Sequence, residues 1–199
     1  MRAVKKGAFC MRDNLAYREE RREELINGRI VMMAPASAGH LYVSNNIYRI
    51  FGNYLHGKEC IAFGDGLLVH LADDEKFVPD VMVVCDRGKI KRTYIAGAPD
   101  LVVEVLSPGT AKYDRGHKKS VYESSGVPEY WIVDTFRKSI EVYLLEDGRY
   151  SLDNIYTLYP AEELAEMTDE EKATVATEFQ CHLYDDLTIR LDDIFGDWF

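Results

Sequence analysis

Apolar residues recur at a helical period in one segment of the chain, and a second segment also predicts a helix. In the first segment, Ser37 offers an N-cap, and apolar positions follow at intervals of three and four up to about position 56. The buried stripe predicted for this helix consists of Val43, Ile47, Ile50, Phe51, Tyr54 and Leu55. The second segment, 111–124, begins where Ser107-Pro108-Gly109-Thr110 ends an apolar run. The sequence therefore predicts two long helices, the first of which has a buried apolar stripe.

Short apolar runs predict strands between and after these helices. The predicted strands cover positions 60–63, 67–71, 77–84, 101–106, 129–134, 139–145, 149–158 and 187–191. Asn27-Gly28 and Asp147-Gly148 predict tight turns between strands. Charged residues at 12–25 favour a helix or a loosely held lead-in, and 192–196 a short terminal turn. Strands in succession around two helices predict an α/β or α+β fold with a central mixed sheet.

The composition is that of a globular protein. A chain of 199 residues fits one domain, with an acidic, helix-prone insertion at 160–178. No apolar run reaches the length of a membrane span, and the N-terminus lacks the apolar stretch of a signal peptide. The four cysteines, Cys10, Cys60, Cys85 and Cys181, are scattered, with no Cys-x-x-Cys pair. We therefore expect reduced thiols, a cytoplasmic location and no structural zinc.

Charge is distributed unevenly along the chain. The formal net charge is −10, and segment 159–199 holds twelve acidic residues against two basic ones. Segment 85–122 instead has eight Lys or Arg against four acidic residues. A basic stretch is compatible with a phosphate-rich substrate, although solvated surface is the commoner cause. The acidic segment could likewise fold over the basic stretch, face a partner subunit or be plain surface.

Two carboxylates lie in apolar strands. Asp80 precedes Val81-Met82-Val83-Val84, and Glu104 lies within the apolar run 101–106. A buried carboxylate is costly unless it is paired or binds a cation. On neighbouring strands the two would form a hard-oxygen site that suits Mg²⁺ or Mn²⁺. The alternatives are a turn-forming role for Asp80 and a buried basic partner for Glu104.

The helix after Glu104 offers a cation. Asp114, Lys118 and Tyr122 recur at i, i+4 and i+8 and so share a helix face. Phosphodiester hydrolysis uses a metal and benefits from a cation near the developing charge. If this helix packs on the Glu104 strand, Lys118 can reach the carboxylates. A plain surface pair with Asp114 is the alternative, and Lys119 is an equally plausible site lysine.

A set of motifs runs along the chain at Pro79-Asp80, 97–108, 114–118, Tyr122 and 126–134, with further stretches at 24–28, 34–37 with His40, and 192–195. Together these motifs resemble the Uma family of restriction endonucleases, within the PD-(D/E)XK nuclease superfamily. The resemblance covers almost the whole chain and is most specific over 97–134. It implies a restriction-endonuclease-like core with a Mg²⁺-type site, in which Asp80 matches the first acid and Glu104 the second.

One position departs from the superfamily pattern. Leu106 stands two residues after Glu104, where the motif has Lys, so the resemblance shifts the basic role to Lys118. The resemblance also brings in Glu24 as a third acid, and His40 is expected to cap or pack rather than bind. It implies a Mg²⁺- or Mn²⁺-dependent endonuclease acting on DNA, with a homodimer as the expected assembly. Two other hypotheses stay open: a nuclease-fold interaction module with little or no cleavage activity, and a metal-dependent hydrolase of small phosphate esters.

Overall fold

Residues 23–196 are described by the computed structural model, and their strands form three sheets. The strands are β1 Glu23–Ile26, β2 Arg29–Met32, β3 Ile61–Gly64, β4 Leu68–Ala72, β5 Glu75–Phe77, β6 Val81–Val84, β7 Tyr94–Ala96, β8 Leu101–Val105, β9 Glu129–Asp134, β10 Ser139–Glu146, β11 Arg149–Thr157, β12 Glu178–Gln180 and β13 Thr188–Arg190. The helices are α1 Ala38–Tyr54, α2 Ala111–Tyr113, α3 Lys119–Ser125, α4 Ala161–Glu166, α5 Asp169–Lys172 and α6 Leu191–Phe195.

A six-stranded mixed sheet is the centre of the fold. Its order is β11-β10-β9-β8-β6-β3, with β8 and β9 parallel and the other neighbours antiparallel. A five-stranded sheet of order β2-β1-β5-β4-β7 lies beside it, and β12 pairs with β13. The mixed sheets flanked by helices confirm the predicted α/β class.

The central strands are buried on both faces, which explains their continuous apolar sequence. In β6, Val81 and Val83 pack with α1 and the C-terminal segment, where Phe51 lies 5.5 Å from Trp131 between ring centroids. Met82 and Val84 point the other way, into the cluster formed by the five-stranded sheet and α3. Because these strands are buried on both faces, a charged side chain within them has no contact with solvent.

Local signals placed several elements correctly. Ser37 caps α1 by accepting a hydrogen bond from the His40 backbone N–H. Asn27 and Gly28 have φ of 50° and 69°, as a two-residue hairpin of this type requires. Asp147-Gly148 forms the predicted turn between β10 and β11.

Other boundaries differ from the prediction. The run 77–84 is not one strand, because the chain leaves the five-stranded sheet after β5 and joins the six-stranded sheet at β6. Pro79, which cannot donate to a ladder, lies at this crossing. Strands β7 and β12 were not predicted, and segment 192–196 is largely the helix α6. Residues 23–25 belong to β1, and the rest of the predicted lead-in, 12–22, lies outside the described residues.

The prediction of reduced thiols is wrong for Cys60 and Cys85, which form a disulfide. Sequence spacing did not reveal the pair, because the two cysteines are 25 positions apart. The register of β3 with β6 pairs Ile61 with Val84 and so brings the next residues, Cys60 and Cys85, face to face. Cys181 is buried and unbridged. The cytoplasmic location loses the support of reduced thiols.

No helix within residues 23–196 is long and apolar enough to cross a membrane.

Candidate active site

The structure brings Asp80 and Glu104 together at the end of the six-stranded sheet where β6 begins and β8 finishes. Val81 pairs with Val103, so continuing the antiparallel register by one residue places Asp80 opposite Glu104. Asp80 is 6% exposed and Glu104 is 3% exposed. The Val105 backbone N–H donates to Asp80 Oδ2 at 2.7 Å, which fixes the carboxylate beside the Glu104 strand. The sequence-predicted adjacency of the two acids is therefore present.

Lys118 is the cation among these carboxylates. Its Nζ lies 2.8 Å from Glu24 Oε1, 3.1 Å from Glu104 Oε1 and 3.6 Å from Asp114 Oδ1. Lys119, the competing candidate, instead holds its ammonium 3.5 Å from the centroid of the Tyr143 ring. Geometry thus separates two neighbouring lysines that the sequence could not.

The turn that carries Lys118 is a π-helical turn, Asp114–Lys118, between α2 and α3. In a regular α-helix with 3.6 residues per turn, each step of four residues overshoots a full turn by about 40°. A π turn takes more residues per turn and so reduces this drift. Asp114, Lys118 and Tyr122 consequently all face inward, with exposures of 1%, 2% and 0%. The predicted shared face is present, with a turn type that the spacing did not reveal.

Glu24 and Tyr122 complete the cluster from opposite sides. Glu24 belongs to β1 in the five-stranded sheet, and its Oε1 also accepts the Val78 N–H at 2.9 Å. The Tyr122 hydroxyl donates to Glu104 Oε1 at 2.7 Å. Leu106 is buried in the apolar cluster, as expected of a residue that cannot serve the motif's basic role. The cluster therefore joins both sheets and α3.

Burial dominates the electrostatics of this cluster. It raises the pKa of Glu104 well above its usual range, and the neighbouring acids Asp114, Asp80 and Glu24 add to the rise against the opposing charge of Lys118. Burial also raises the pKa of Asp114. Burial alone would lower the pKa of Lys118, but the surrounding carboxylates outweigh it and raise that pKa, so the ammonium stays charged.

His40 forms a hydrogen bond with Asp80. Its Nε2 lies 2.7 Å from Asp80 Oδ1, and its Nδ1 is buried without a hydrogen-bond partner among residues 23–196. Burial disfavours the charged imidazole, yet the bond to Asp80 and its charge outweigh burial and raise the pKa of His40. The sequence predicted capping or packing for His40, and the structure adds a direct contact with a site carboxylate.

A second buried carboxylate, Glu75, was missed by sequence reasoning. Its Oε1 accepts the Asn27 N–H at 3.1 Å and contacts His117 Nε2 at 2.9 Å, while its Oε2 is buried without a partner in the described part of the chain. Glu75 thereby links the hairpin that carries Glu24 to the turn that carries Lys118. Its position, between Asp73-Asp74 and Lys76, resembled an ordinary surface charge.

The donor chemistry of Asp80 and Glu104 fits a Mg²⁺ or Mn²⁺ ion. Protein-bound Mg²⁺ usually takes one or two carboxylates and completes its octahedron with water or substrate oxygens. Within residues 23–196, no group of three or more His, Cys, Asp or Glu side chains is arranged to hold a metal ion. Two surface cavities of about 580 and 390 Å³ lie toward the other end of β6, near Cys85 and Arg87, away from these carboxylates.

Known proteins resemble the chain in sequence and in fold. The family model Uma2, described as "Putative restriction endonuclease", matches residues 12–176. The chain is 34% identical over 137 residues to the uncharacterized protein slr1290 of Synechocystis, covering 67% of this chain and 72% of that protein. It is 30% identical over 126 residues to the uncharacterized protein sll1609 of the same organism, covering 61% and 71%.

A solved structure shares the fold at lower sequence identity. It is described as a "putative nuclease belonging to DUF820" from Anabaena variabilis, with a TM-score of 0.65 and 18% identity. The similarity covers 88% of this chain and 90% of that one. At this identity the likeness establishes a nuclease-like fold. Because the family model spans well over half of its length, the chain belongs to the Uma2 family of restriction endonuclease-like proteins.

Proposed function

We propose that the protein is a metal-dependent endonuclease that hydrolyses phosphodiester bonds of DNA. The observation that carries the proposal is an excess of buried carboxyl groups over buried cations. Glu24, Glu104 and Asp114 are buried around Lys118, the one buried lysine among the described residues, and Asp80 is buried opposite Glu104. Such an excess is costly unless protons or another cation compensate it. A divalent ion would supply that charge, and the family is one of restriction endonuclease-like proteins.

Asp80 and Glu104 would hold the ion, Mg²⁺ or Mn²⁺. The chemistry that such an ion supplies is polarisation of the phosphate and a lower pKa for a bound water. Lys118 would stabilise the attacking water or the developing negative charge, since it remains protonated. Glu24 would assist through a water molecule, and it holds the lysine in place through their 2.8 Å contact.

Cleavage of both strands of a duplex would be served by a homodimer. Two sites, one in each copy, can address two strands of opposite direction through twofold symmetry. The partners expected of this function are therefore DNA and a second copy of the chain.

A second candidate function is a nuclease-fold interaction module without cleavage. The observation that favours it is the closed state of the cluster, in which Lys118 contacts three carboxylates and is only 2% exposed. In that case the lysine would be a structural counterion rather than a catalytic group.

The test combines cleavage with metal binding. Purified protein is incubated with plasmid DNA, single-stranded DNA and RNA in Mg²⁺ or Mn²⁺, and ion binding is measured by calorimetry. We expect DNA cleavage that Asp80→Asn, Glu104→Gln and Lys118→Met each abolish, and ion binding that Asp80→Asn abolishes. Lys119→Met is the matched control and should cleave normally. Absence of both cleavage and ion binding in the wild type would leave only the interaction module.

A further inference from the structure

The segments that follow the parallel strands β8 and β9 leave the six-stranded sheet at the end that carries Glu104. Strands β8 and β9 run in parallel, with Glu104 beside Ile132. The segment after β8 leads through α2 to the Lys118 turn, and the segment after β9 forms the turn 135–138 before β10. Both segments therefore border the carboxylate cluster.

These two segments present basic and aromatic side chains to solvent. Phe136, at the tip of the β9–β10 turn, is 96% exposed, and Tyr113 in α2 is 45% exposed. Lys112, Arg137 and Lys138 are also exposed. We call this surface the basic-aromatic rim; it consists of Lys112, Tyr113, Phe136, Arg137 and Lys138.

The tip that carries Phe136 is held in one conformation. Asp134 Oδ1 accepts the backbone N–H groups of Phe136 and Arg137, both at 3.0 Å. The Leu158 N–H donates to the Lys138 carbonyl at 2.9 Å, which ties the turn to the end of β11. A side chain on a fixed loop loses less conformational freedom on binding than one on a mobile loop. The backbone that carries Phe136 is therefore preorganised for contact with a ligand.

The charges of the rim are available for a polyanion. Among residues 23–196, Lys112, Arg137 and Lys138 form no ion pair, in contrast to Arg115, whose guanidinium donates to Glu141 Oε1 at 2.7 and 3.0 Å. Arg115 also approaches Asp134, at 3.9 Å. That contact links the base of the Phe136 tip to the turn that carries Lys118.

The rim lies within reach of a strand bound at the carboxylates. Phe136 is four residues beyond Ile132, the neighbour of Glu104, so it lies at most about 13 Å farther along the strand direction. This distance corresponds to about four nucleotide steps of 3.4 Å along one strand of a DNA duplex.

We propose that the basic-aromatic rim binds DNA beside the scissile phosphate, with Phe136 stacked on an unpaired base and Lys112, Arg137 and Lys138 on phosphates. This inference rests on the proposed function, because it takes the substrate of that site as the ligand. Aromatic platforms beside cations are the chemistry that binds single strands with little sequence preference. Phe136 has no hydrogen-bonding group and so cannot read base edges. The favoured ligand is therefore single-stranded or locally unpaired DNA.

Binding is tested apart from cleavage, by fluorescence anisotropy of labelled single-stranded DNA in EDTA. Phe136→Ala should weaken binding about 5- to 150-fold, the range expected for one base stack. Phe136→Trp should restore binding, and neither change should alter the salt dependence. Arg137→Gln combined with Lys138→Gln should reduce the slope of log K against log salt by about 0.7 for each phosphate that is no longer neutralised.

Matched controls lie away from the rim. Leu152 is 48% exposed, and Arg149, with a side chain 86% exposed, lies at the other end of β11 from the rim. Leu152→Ala and Arg149→Gln should bind as the wild type does.

The outcomes separate this inference from the proposed function. Rim variants that bind as tightly as the wild type, with the same salt slope, would overturn the rim even if the wild type cleaves DNA. Tight binding to RNA or to fully paired duplex, without preference for single-stranded DNA, would overturn the assigned ligand. Binding that depends on Phe136, in a protein that cleaves nothing, would uphold the rim and refute the endonuclease.

Discussion

Replacement of Lys118 by Met should destabilise the protein strongly. The change removes the ammonium but keeps a side chain of similar length, so its main effect is electrostatic. Glu24, Glu104 and Asp114, which lie 2.8, 3.1 and 3.6 Å from Nζ, then lose their shared counterion. Removal of one partner from a buried ion pair costs about 3–5 kcal/mol. That is a large part of the roughly 5–15 kcal/mol by which a typical domain is stable.

The cost of Lys118→Met should depend on pH in a definite direction. Without the ammonium, the pKa values of Glu104 and Asp114 rise further, so at pH values above the ordinary pKa range of carboxylates the folded variant binds more protons than its unfolded chain. Its stability relative to the wild type therefore falls as pH rises. We expect a small difference near pH 4 and the full difference near pH 7.

Urea denaturation of both proteins at the two pH values measures this difference. Lys119→Met is the matched control, because Lys119 contacts the Tyr143 ring and should cost only about 0.5–1 kcal/mol. A Lys118→Met variant that is no less stable than Lys119→Met at neutral pH would refute the reasoning. It would mean that Lys118 does not neutralise the cluster in solution.

Three further predictions concern Glu104, the disulfide and Glu129. Glu104→Gln should leave the metal-free protein equally or more stable, since it relieves repulsion between carboxylates, and it should abolish the rise in Tm on Mg²⁺ addition. A loss of several kcal/mol in the free energy of unfolding would instead indicate a structural ion pair. The Cys60–Cys85 disulfide closes a loop of 25 positions, so its reduction should lower the free energy of unfolding by about 3–4 kcal/mol. The measurement is Tm with and without dithiothreitol, and a Cys60→Ser, Cys85→Ser variant is the control that should not respond. Burial raises the pKa of Glu129, so the contribution of this residue to stability should decline as the pH rises above the ordinary pKa of a glutamate. The pH dependence of unfolding of Glu129→Gln should lack this decline, and a profile like that of the wild type would contradict the raised pKa.

The sequence predicted most of what depends on local pattern. The α1 cap, the Asn27-Gly28 hairpin and the apolar central strands each follow from neighbouring residues. Elements that depend on tertiary contact were less visible. The crossing between sheets at Pro79 interrupts an apolar run that a periodicity argument treats as one strand, and the disulfide depends on the register of β3 with β6.

The candidate site was predictable to a similar degree. Asp80, Glu104 and the Lys118 helix face were identified because charges in apolar strands are unusual and because the family motif contains them. Lys118 could not be separated from Lys119, because that choice depends on the pitch of the turn. Glu75 was not identified, since its burial comes from the hairpin and from His117, which are distant in sequence.

The pairing of Asp80 with Glu104 also bears on how the chain selects one fold. Strands β6 and β8 are almost uniformly Val, Leu and Met and are buried on both faces, so a slip of one residue would change little in their apolar packing. The same slip would turn Asp80 to the opposite face, away from His40 and the Val105 N–H, and bury an unpaired carboxylate among apolar side chains. The polar cluster thus fixes the register of two strands whose apolar residues alone would fit more than one pairing. Substitution of the whole cluster by apolar residues would be expected to widen the set of pairings these strands adopt, whatever it does to the stability of each.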